Sequence, residues 1–296
     1  MNGIDWRTLV EAGQLAPALG SAPLVVVDVR ASLSDDGAGR RAYTEAHLPG
    51  AIHLRLHDQL SGPHVPGAGR HPWPSDAAFA RVLGDCGLTP RHQLVAYDDG
   101  DGAFAARLWF LLQAFGHARA AVLDGGWQGW LEAGRPVTAL PPRVDPAPAY
   151  PGTFDRARLL DADGLDQALS AGAMLLDARA GPRFRGEVEP IDAVAGHIPG
   201  AVNRPYAENL RGGRFKLAVE LATEFERLLA GQPASELVAS CGSGVTACHH
   251  LLAMAHAGLD GGRLYTGSWS GWIEDPLRPI VSGVGAATGS ATPTDG

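Results

Sequence analysis

Leu237-Val238-Ala239-Ser240-Cys241-Gly242-Ser243-Gly244-Val245-Thr246-Ala247-Cys248 reads as a strand, a loop and the start of a helix. Leu237 to Ala239 is a short apolar run of the kind that a parallel sheet buries. Cys241 follows at once, with glycines at 242 and 244, and Val245 to Ala257 is a helix-like stretch rich in Ala, Leu and His. The N–H groups of such a loop and helix start lack internal partners, so together they form a cup for an anion. Donors placed this way favour a thiolate, and Cys241 is read as a nucleophile rather than an inert buried thiol.

The same loop excludes other chemistries. A cysteine phosphatase closes a similar loop on an arginine, C-x5-R, but the sixth residue after Cys241 is Ala247. No Gly-Lys-Ser/Thr is present, so the nucleotide-binding loop pattern fails as well.

Working outward, the chain contains itself twice. Leu24-Val25-Val26-Val27-Asp28-Val29-Arg30 returns as Met174-Leu175-Leu176-Asp177-Ala178-Arg179, and Ala46-His47-Leu48-Pro49-Gly50-Ala51 returns as Gly196-His197-Ile198-Pro199-Gly200-Ala201. Leu94 to Asp98 matches Leu237 to Cys241, and Asp124 to Trp130 matches Thr266 to Trp272. Four blocks in one order make a tandem duplication. Each half alternates short β-branched runs with helix-length segments, the pattern of an α/β fold around a central parallel sheet flanked by helices. Phe104 to Phe115 reads as an amphipathic helix capped at Gly116.

The expected divisions are a first, non-catalytic domain over 1–140, a linker over 141–153, a catalytic domain over 154–281 and a flexible tail over 282–296. The linker follows from its prolines, which favour an extended, semi-rigid chain. The tail follows from its Gly, Ala, Ser and Thr content without apolar pattern. The first half has Asp98 where the second has Cys241, and Asp98-Asp99-Gly100-Asp101 is acidic. That half is expected to keep the fold, repel anions and wall a cleft between the domains.

Composition narrows the class. The chain has 296 residues, 45% hydrophobic and 19% charged, with no apolar run of membrane-spanning length. A net charge of -8 argues against nucleic acid or an anionic membrane as partner. Three cysteines cannot build a disulfide framework, and the N-terminus carries no export signal, so a cytoplasmic location is expected. No metal motif such as C-x2-C is present, and no cofactor is expected. His47 and His197, which recur, are read as structural, and Trp127 and Trp269 as core. Cys248 is read as a packed helix cysteine, and Cys86 as a thiol without an activating base or cation beside it.

In combination, the two Asp-x-Arg motifs, the His-Leu/Ile-Pro-Gly-Ala blocks, the Cys241 loop and Gly267-Ser268-Trp269 resemble the tandem-domain sulfurtransferases of the rhodanese family over about residues 5–281. The resemblance implies two tandem rhodanese-like domains and a thiolate that takes a sulfane sulfur, becomes a persulfide and passes the sulfur to a nucleophilic acceptor. A thiol, cyanide or a thioredoxin-like protein would serve as acceptor. Thiosulfate-preferring members carry Arg-Lys after the cysteine, whereas here Gly242 and Ser243 follow, a form similar to the 3-mercaptopyruvate sulfurtransferases. That similarity implies a relay of Ser243, His71 and Asp58 at the leaving group, with Gly242, Gly244, Val245 and Thr246 cradling the sulfur. Arg183 is expected on the donor's anionic end, since a guanidinium grips a carboxylate with two parallel bonds. Arg179 is placed with it among the donor-binding residues, although Asp-x-Arg recurs in both halves and also fits an ion pair tying strand to loop. A second donor arginine of the family's Glu-Pro-Arg stretch is missing, because Glu189-Pro190 is followed by Ile191; Arg185 is one substitute. Mercaptopyruvate is the expected donor, thiosulfate the alternative, and a persulfide carrier loaded by a partner enzyme the third reading.

Overall fold

The computed structural model describes residues 4–284. In the first half the strands are β1 (Leu9–Val10), β2 (Leu24–Asp28), β3 (Ile52–His53), β4 (Gln93–Tyr97) and β5 (Ala120–Leu123). They form one sheet in the order β1-β5-β4-β2-β3, every pair parallel. The second half supplies β6 (Leu159–Leu160), β7 (Met174–Asp177) and β8 (Val202–Asn203), then a small antiparallel hairpin of β9 (Leu210–Arg211) and β10 (Arg214–Phe215), and finally β11 (Leu237–Ser240) and β12 (Arg263–Tyr265). Its main sheet runs β6-β12-β11-β7-β8, also parallel throughout. The two orders are the same order, so the duplication read from sequence is a duplication of topology.

Register repeats too. Asp28 pairs with Tyr97 and Asp177 with Ser240, which puts the first residue after β4, Asp98, and the first after β11, Cys241, at equivalent strand ends. His47 bridges Thr138 and His197 bridges Val281, each ring bonded through Nδ1 to a backbone carbonyl and stacked on an aromatic neighbour. These two histidines lock the turn after their helix in both halves. Trp269 is fully buried in the satellite core on the outer face of its sheet, while its counterpart Trp127 is only half-buried against the matching core of the first half.

The helix Ala103–Ala114 was expected to be amphipathic and is instead buried almost all round. So is Ala247–His256, and the two pack against each other across the domain boundary. Each covers its own sheet with one face and the other domain with the opposite face, so neither keeps a polar side. One hydrophobic core therefore runs from Val27 and Leu94 through Phe110 and Leu112 to Leu251 and Leu264. A helix with no polar face is a buried helix, and here the covering layer is the other half of the chain.

The proline-rich stretch 141–153 has no helix or strand, but it is laid along the first domain rather than hanging free. Ala147 and Tyr150 donate backbone N–H groups to Gly84 and Ala80, and the Tyr150 hydroxyl meets His117 Nδ1 at 2.8 Å. Phe154 then enters an aromatic cluster with Phe79 and Phe115. Of the expected tail, residues 285–296 lie outside the described residues.

Candidate active site

Strand β11 ends at Ser240, and Cys241 opens the loop beneath the helix Ala247–His256. Its Sγ accepts the Gly244 N–H at 3.1 Å. Gly244 adopts φ +76, a left-handed conformation that turns the loop back over the sulfur, and a Cβ there would stand 2.9 Å from Thr266 O. Among the described residues, the N–H groups of Gly242, Ser243, Val245 and Thr246 have no protein acceptor. The carbonyls of Cys241 and Gly242 are turned outward by the Trp269 and Ser270 N–H groups, and the Cys241 N–H donates to Ser268 Oγ. The recurrent Gly-Ser-Trp block thus fixes the back of the cup. All three cysteines are free, but burial pushes the Cys248 thiol up to about 12, and burial with Asp85 beside it does the same to Cys86.

The front of the cup comes from the first domain. The loop ending at His71 sits on residues 267–271, where Gly69 (φ +72) leaves no space for a Cβ against Gly267 O, and the Arg70 N–H donates to Ser270 Oγ. This seating brings His71 Nδ1 to 2.8 Å from Ser243 Oγ, both side chains buried. Burial, with Arg107, His57 and Arg70 nearby, pulls His71 down to about 3, so its ring is neutral at any ordinary pH. The fully buried Arg107 joins the two pieces. Its Nη1 donates to Gly244 O at 3.0 Å, and its Nη2 reaches the carbonyls of Leu60, His71 and Pro72. Its guanidinium also stacks 4.4 Å from the Trp73 ring centroid. The sequence signal for it was a single cation inside an otherwise apolar helix.

Asp58 does not reach this pair. It is exposed and binds Arg55, three residues back on the same turn, with Arg55 Nε donating to Oδ1 at 2.8 Å. A one-turn spacing directs the carboxylate along the turn to its own arginine. The neighbour of His71 on that side is the His57 ring, centroids 4.9 Å apart, and His71 Nε2 has no hydrogen-bond partner. The expected three-residue relay is corrected to a pair.

Arginines meet in front of Cys241, in a cavity of about 260 Å³ that Arg70, Arg179, Arg183, Asp101, Tyr206 and Thr246 help to line. Arg179 has the contacts of a strut, yet it also lines the cavity, and among the described residues its Nη1 has no hydrogen-bond partner. It holds Asp177 through Nε and Nη2, donates to Gly196 O and lies over Trp269. Arg30 makes the matching contacts to Asp28, Ala46 O and Trp127 in the half that has no nucleophile. Arg183 does face the cavity, held by Glu189 at 2.7 Å and Asp192 at 3.0 Å, both carboxylates buried. Arg185 pairs with Glu187 at the surface and Ile191 is exposed, so neither supplies a second cation. Arg70 does stand there. Its guanidinium pairs with the other oxygen of Asp192, and burial lowers its pKa while the charge of Cys241 opposes the shift.

Comparison with known proteins agrees with this architecture. The rhodanese-like domain model matches residues 11–133 and again 161–275. The chain belongs to the rhodanese family. It is 48% identical over 279 residues, 93% of this chain and 98% of the relative, to a Pseudomonas aeruginosa protein named as a probable 3-mercaptopyruvate sulfurtransferase. It is 34% identical to the thiosulfate sulfurtransferase of Rattus norvegicus, covering 90% of this chain and 92% of that one. Among solved structures, the 3-mercaptopyruvate sulfurtransferase of Leishmania major superposes with a TM-score of 0.78 at 32% identity, over 89% of this chain and 73% of that one. This rhodanese-family chain is an enzyme, a sulfurtransferase. Among the described residues, no helix is long and apolar enough to cross a membrane.

Proposed function

We propose that the enzyme moves a sulfane sulfur from 3-mercaptopyruvate, through a persulfide on Cys241, to a thiol, cyanide or thioredoxin-like acceptor, in the cytoplasm. The Cys241 thiolate attacks the donor sulfur, an S–S bond forms and the C–S bond breaks. The electron pair leaves as the enolate of pyruvate, which then takes a proton. The persulfide keeps the negative charge in the cup of Gly242, Ser243, Gly244, Val245 and Thr246, and a second nucleophile removes its outer sulfur.

The observation that carries this reading is the buried Ser243–His71 pair beside Cys241. A neutral imidazole that donates its Nδ1–H to Ser243 Oγ leaves the serine's own proton free for the enolate oxygen, an oxyanion-type stabilisation. The accompanying unpartnered His71 Nε2 is then only an unfilled acceptor.

The test is single-turnover loading of the enzyme from each donor, followed as the mass gain of one sulfur on the Cys241 peptide. Mercaptopyruvate is expected to load faster. Faster loading from thiosulfate would reverse the donor assignment, and loading from neither would make the protein a carrier that a partner fills.

A further inference from the structure

We propose that Arg70, from the domain without a nucleophile, is the second anion-binding arginine of the site, and that with Arg183 it clamps the donor's carboxylate from the opposite side. This rests on the reading of Cys241 as the nucleophile toward a carboxylate-bearing donor.

The two guanidinium groups converge on one spot. A Cβ placed on Gly242 would lie 3.1 Å from Arg70 Nη2 and 3.6 Å from Arg183 Nη2, so both heads hang over the residue next to Cys241. They arrive on loops of different domains. Arg183 comes from the short helix Gly181–Phe184 after β7, and Arg70 from the loop whose backbone is pinned to Ser270 Oγ. Their backbones are thus fixed independently.

A carboxylate already shows that the gap between them takes one. Asp192 gives Oδ2 to Arg183 at 3.0 Å and Oδ1 to Arg70, and its side chain is 3% exposed. Its two oxygens are divided between two guanidinium groups, the arrangement a planar carboxylate offers two forks. Arg183 has a further carboxylate in Glu189, while Arg70 has Asp192 alone among the described residues. Arg70 is also the more accessible of the two, with its side chain 30% exposed against 17%. An entering donor carboxylate therefore finds Arg70 the easier partner to win from Asp192, and Arg183 then completes the clamp. The remaining cation of the group, Arg179, is held by Asp177 through Nε and Nη2, and among the described residues its Nη1 has no hydrogen-bond partner.

The test separates charge recognition from sulfur chemistry. Iodoacetate and iodoacetamide both alkylate a thiolate with loss of iodide, and they differ by a carboxylate in place of an amide. Second-order rates at Cys241, read by peptide mass, give an iodoacetate-to-iodoacetamide ratio for wild type, Arg70→Gln, Arg70→Lys and the surface control Arg185→Gln. The proposal expects Arg70→Gln to lower the ratio about tenfold, Arg70→Lys to recover part of it, and Arg185→Gln to leave it unchanged. In turnover, Arg70→Gln should raise KM for mercaptopyruvate about tenfold while kcat stays within about threefold. An unchanged ratio, or a lowered kcat at constant KM, overturns the clamp. If wild type turns over no mercaptopyruvate yet the ratio still falls, the clamp stands and the donor assignment is what fails.

Discussion

Asp98 and Cys241 occupy the same step of the two half-repeats, but Asp98 fills its own cup. Its Oδ1 accepts the N–H groups of Gly100 and Gly102, and its Oδ2 those of Phe104 and Ala105, at 2.9 to 3.1 Å. At Cys241 the sulfur takes only the Gly244 N–H, and among the described residues the N–H groups of Gly242, Ser243, Val245 and Thr246 have no protein acceptor. The acidic stretch of the first half therefore acts less by repulsion than by self-occupation, and only Asp101 of that stretch faces the active-site cavity. Asp101 is itself tied to the other domain, taking the Tyr206 hydroxyl at 2.7 Å.

From this, Asp98→Ala should destabilise the protein by about 2 to 4 kcal/mol, because four N–H groups, two of them fully buried, lose one shared acceptor. Asp98→Asn should lose less, since one amide oxygen still accepts. Sulfur transfer per folded molecule should be unchanged in both. Urea denaturation and kcat on the same samples check it. A stable Asp98→Ala protein would mean that the loop holds its shape without the carboxylate.

Stability should fall on mild acidification. Burial pulls His71 down to about 3 and His117 and His249 to about 4, and holds His250 well below its usual value. Below about pH 6.5 the unfolded chain takes up protons at these four sites that the folded chain refuses. The stability they contribute is thus whole above that pH and is lost as pH drops toward 4. Asp98 works in the opposite direction, because burial and Asp101 push it up to about 6, so it favours folding slightly as pH falls from 6 toward 4. Each histidine weighs up to about 1.4 kcal/mol per pH unit, and a net loss of several kcal/mol is expected between pH 7 and 5. Equal urea midpoints at those two pH values would contradict the burial of these rings.

The repeat, the parallel sheets and the place of Cys241 at a strand end were legible because strand ends and loop motifs recur in the same order. What the sequence hid depends on contacts between distant segments. Periodicity cannot announce that Ala103–Ala114 is buried on both faces, since the covering helix lies more than a hundred residues away. The spacing of Asp58 to His71 says nothing about which way a turn points a carboxylate, and here it points to Arg55. Arg70 was visible beside His71 but had no signature until Asp192 placed it over Gly242. Arg179 could be read either as substrate contact or as strut, and it has both the strut contacts matched in Arg30 and a place in the wall of the Cys241 cavity.

Ser243 and His71 should behave as one unit. Ser243→Ala is expected to lower kcat with mercaptopyruvate about a hundredfold, the usual scale for losing one positioned donor to a developing oxyanion. His71→Ala should do much the same, and the double variant should be little worse than either, because His71 acts only through Ser243. Loading from thiosulfate should change far less, since sulfite leaves without needing a proton. Additive losses in the double variant would place the two residues on separate duties.

Arg107 provides the last test, of how far one domain depends on the other. It is fully buried with no carboxylate partner among the described residues, and its charge is answered by four carbonyls and the face of Trp73. One of those carbonyls belongs to Gly244, whose N–H points at Cys241, and another to His71. Arg107→Met fills the space but leaves these acceptors bare, so a loss of roughly 3 kcal/mol or more is expected. Arg107→Lys keeps a charge without the planar fork and should recover part of the stability but less of the rate, because it cannot hold the Gly244 and His71 loops at once. Urea unfolding gives the first quantity, and kcat of the folded fraction with mercaptopyruvate gives the second. If Arg107→Lys restored stability and rate together, the charge alone would suffice and the fork joining the two loops would be incidental.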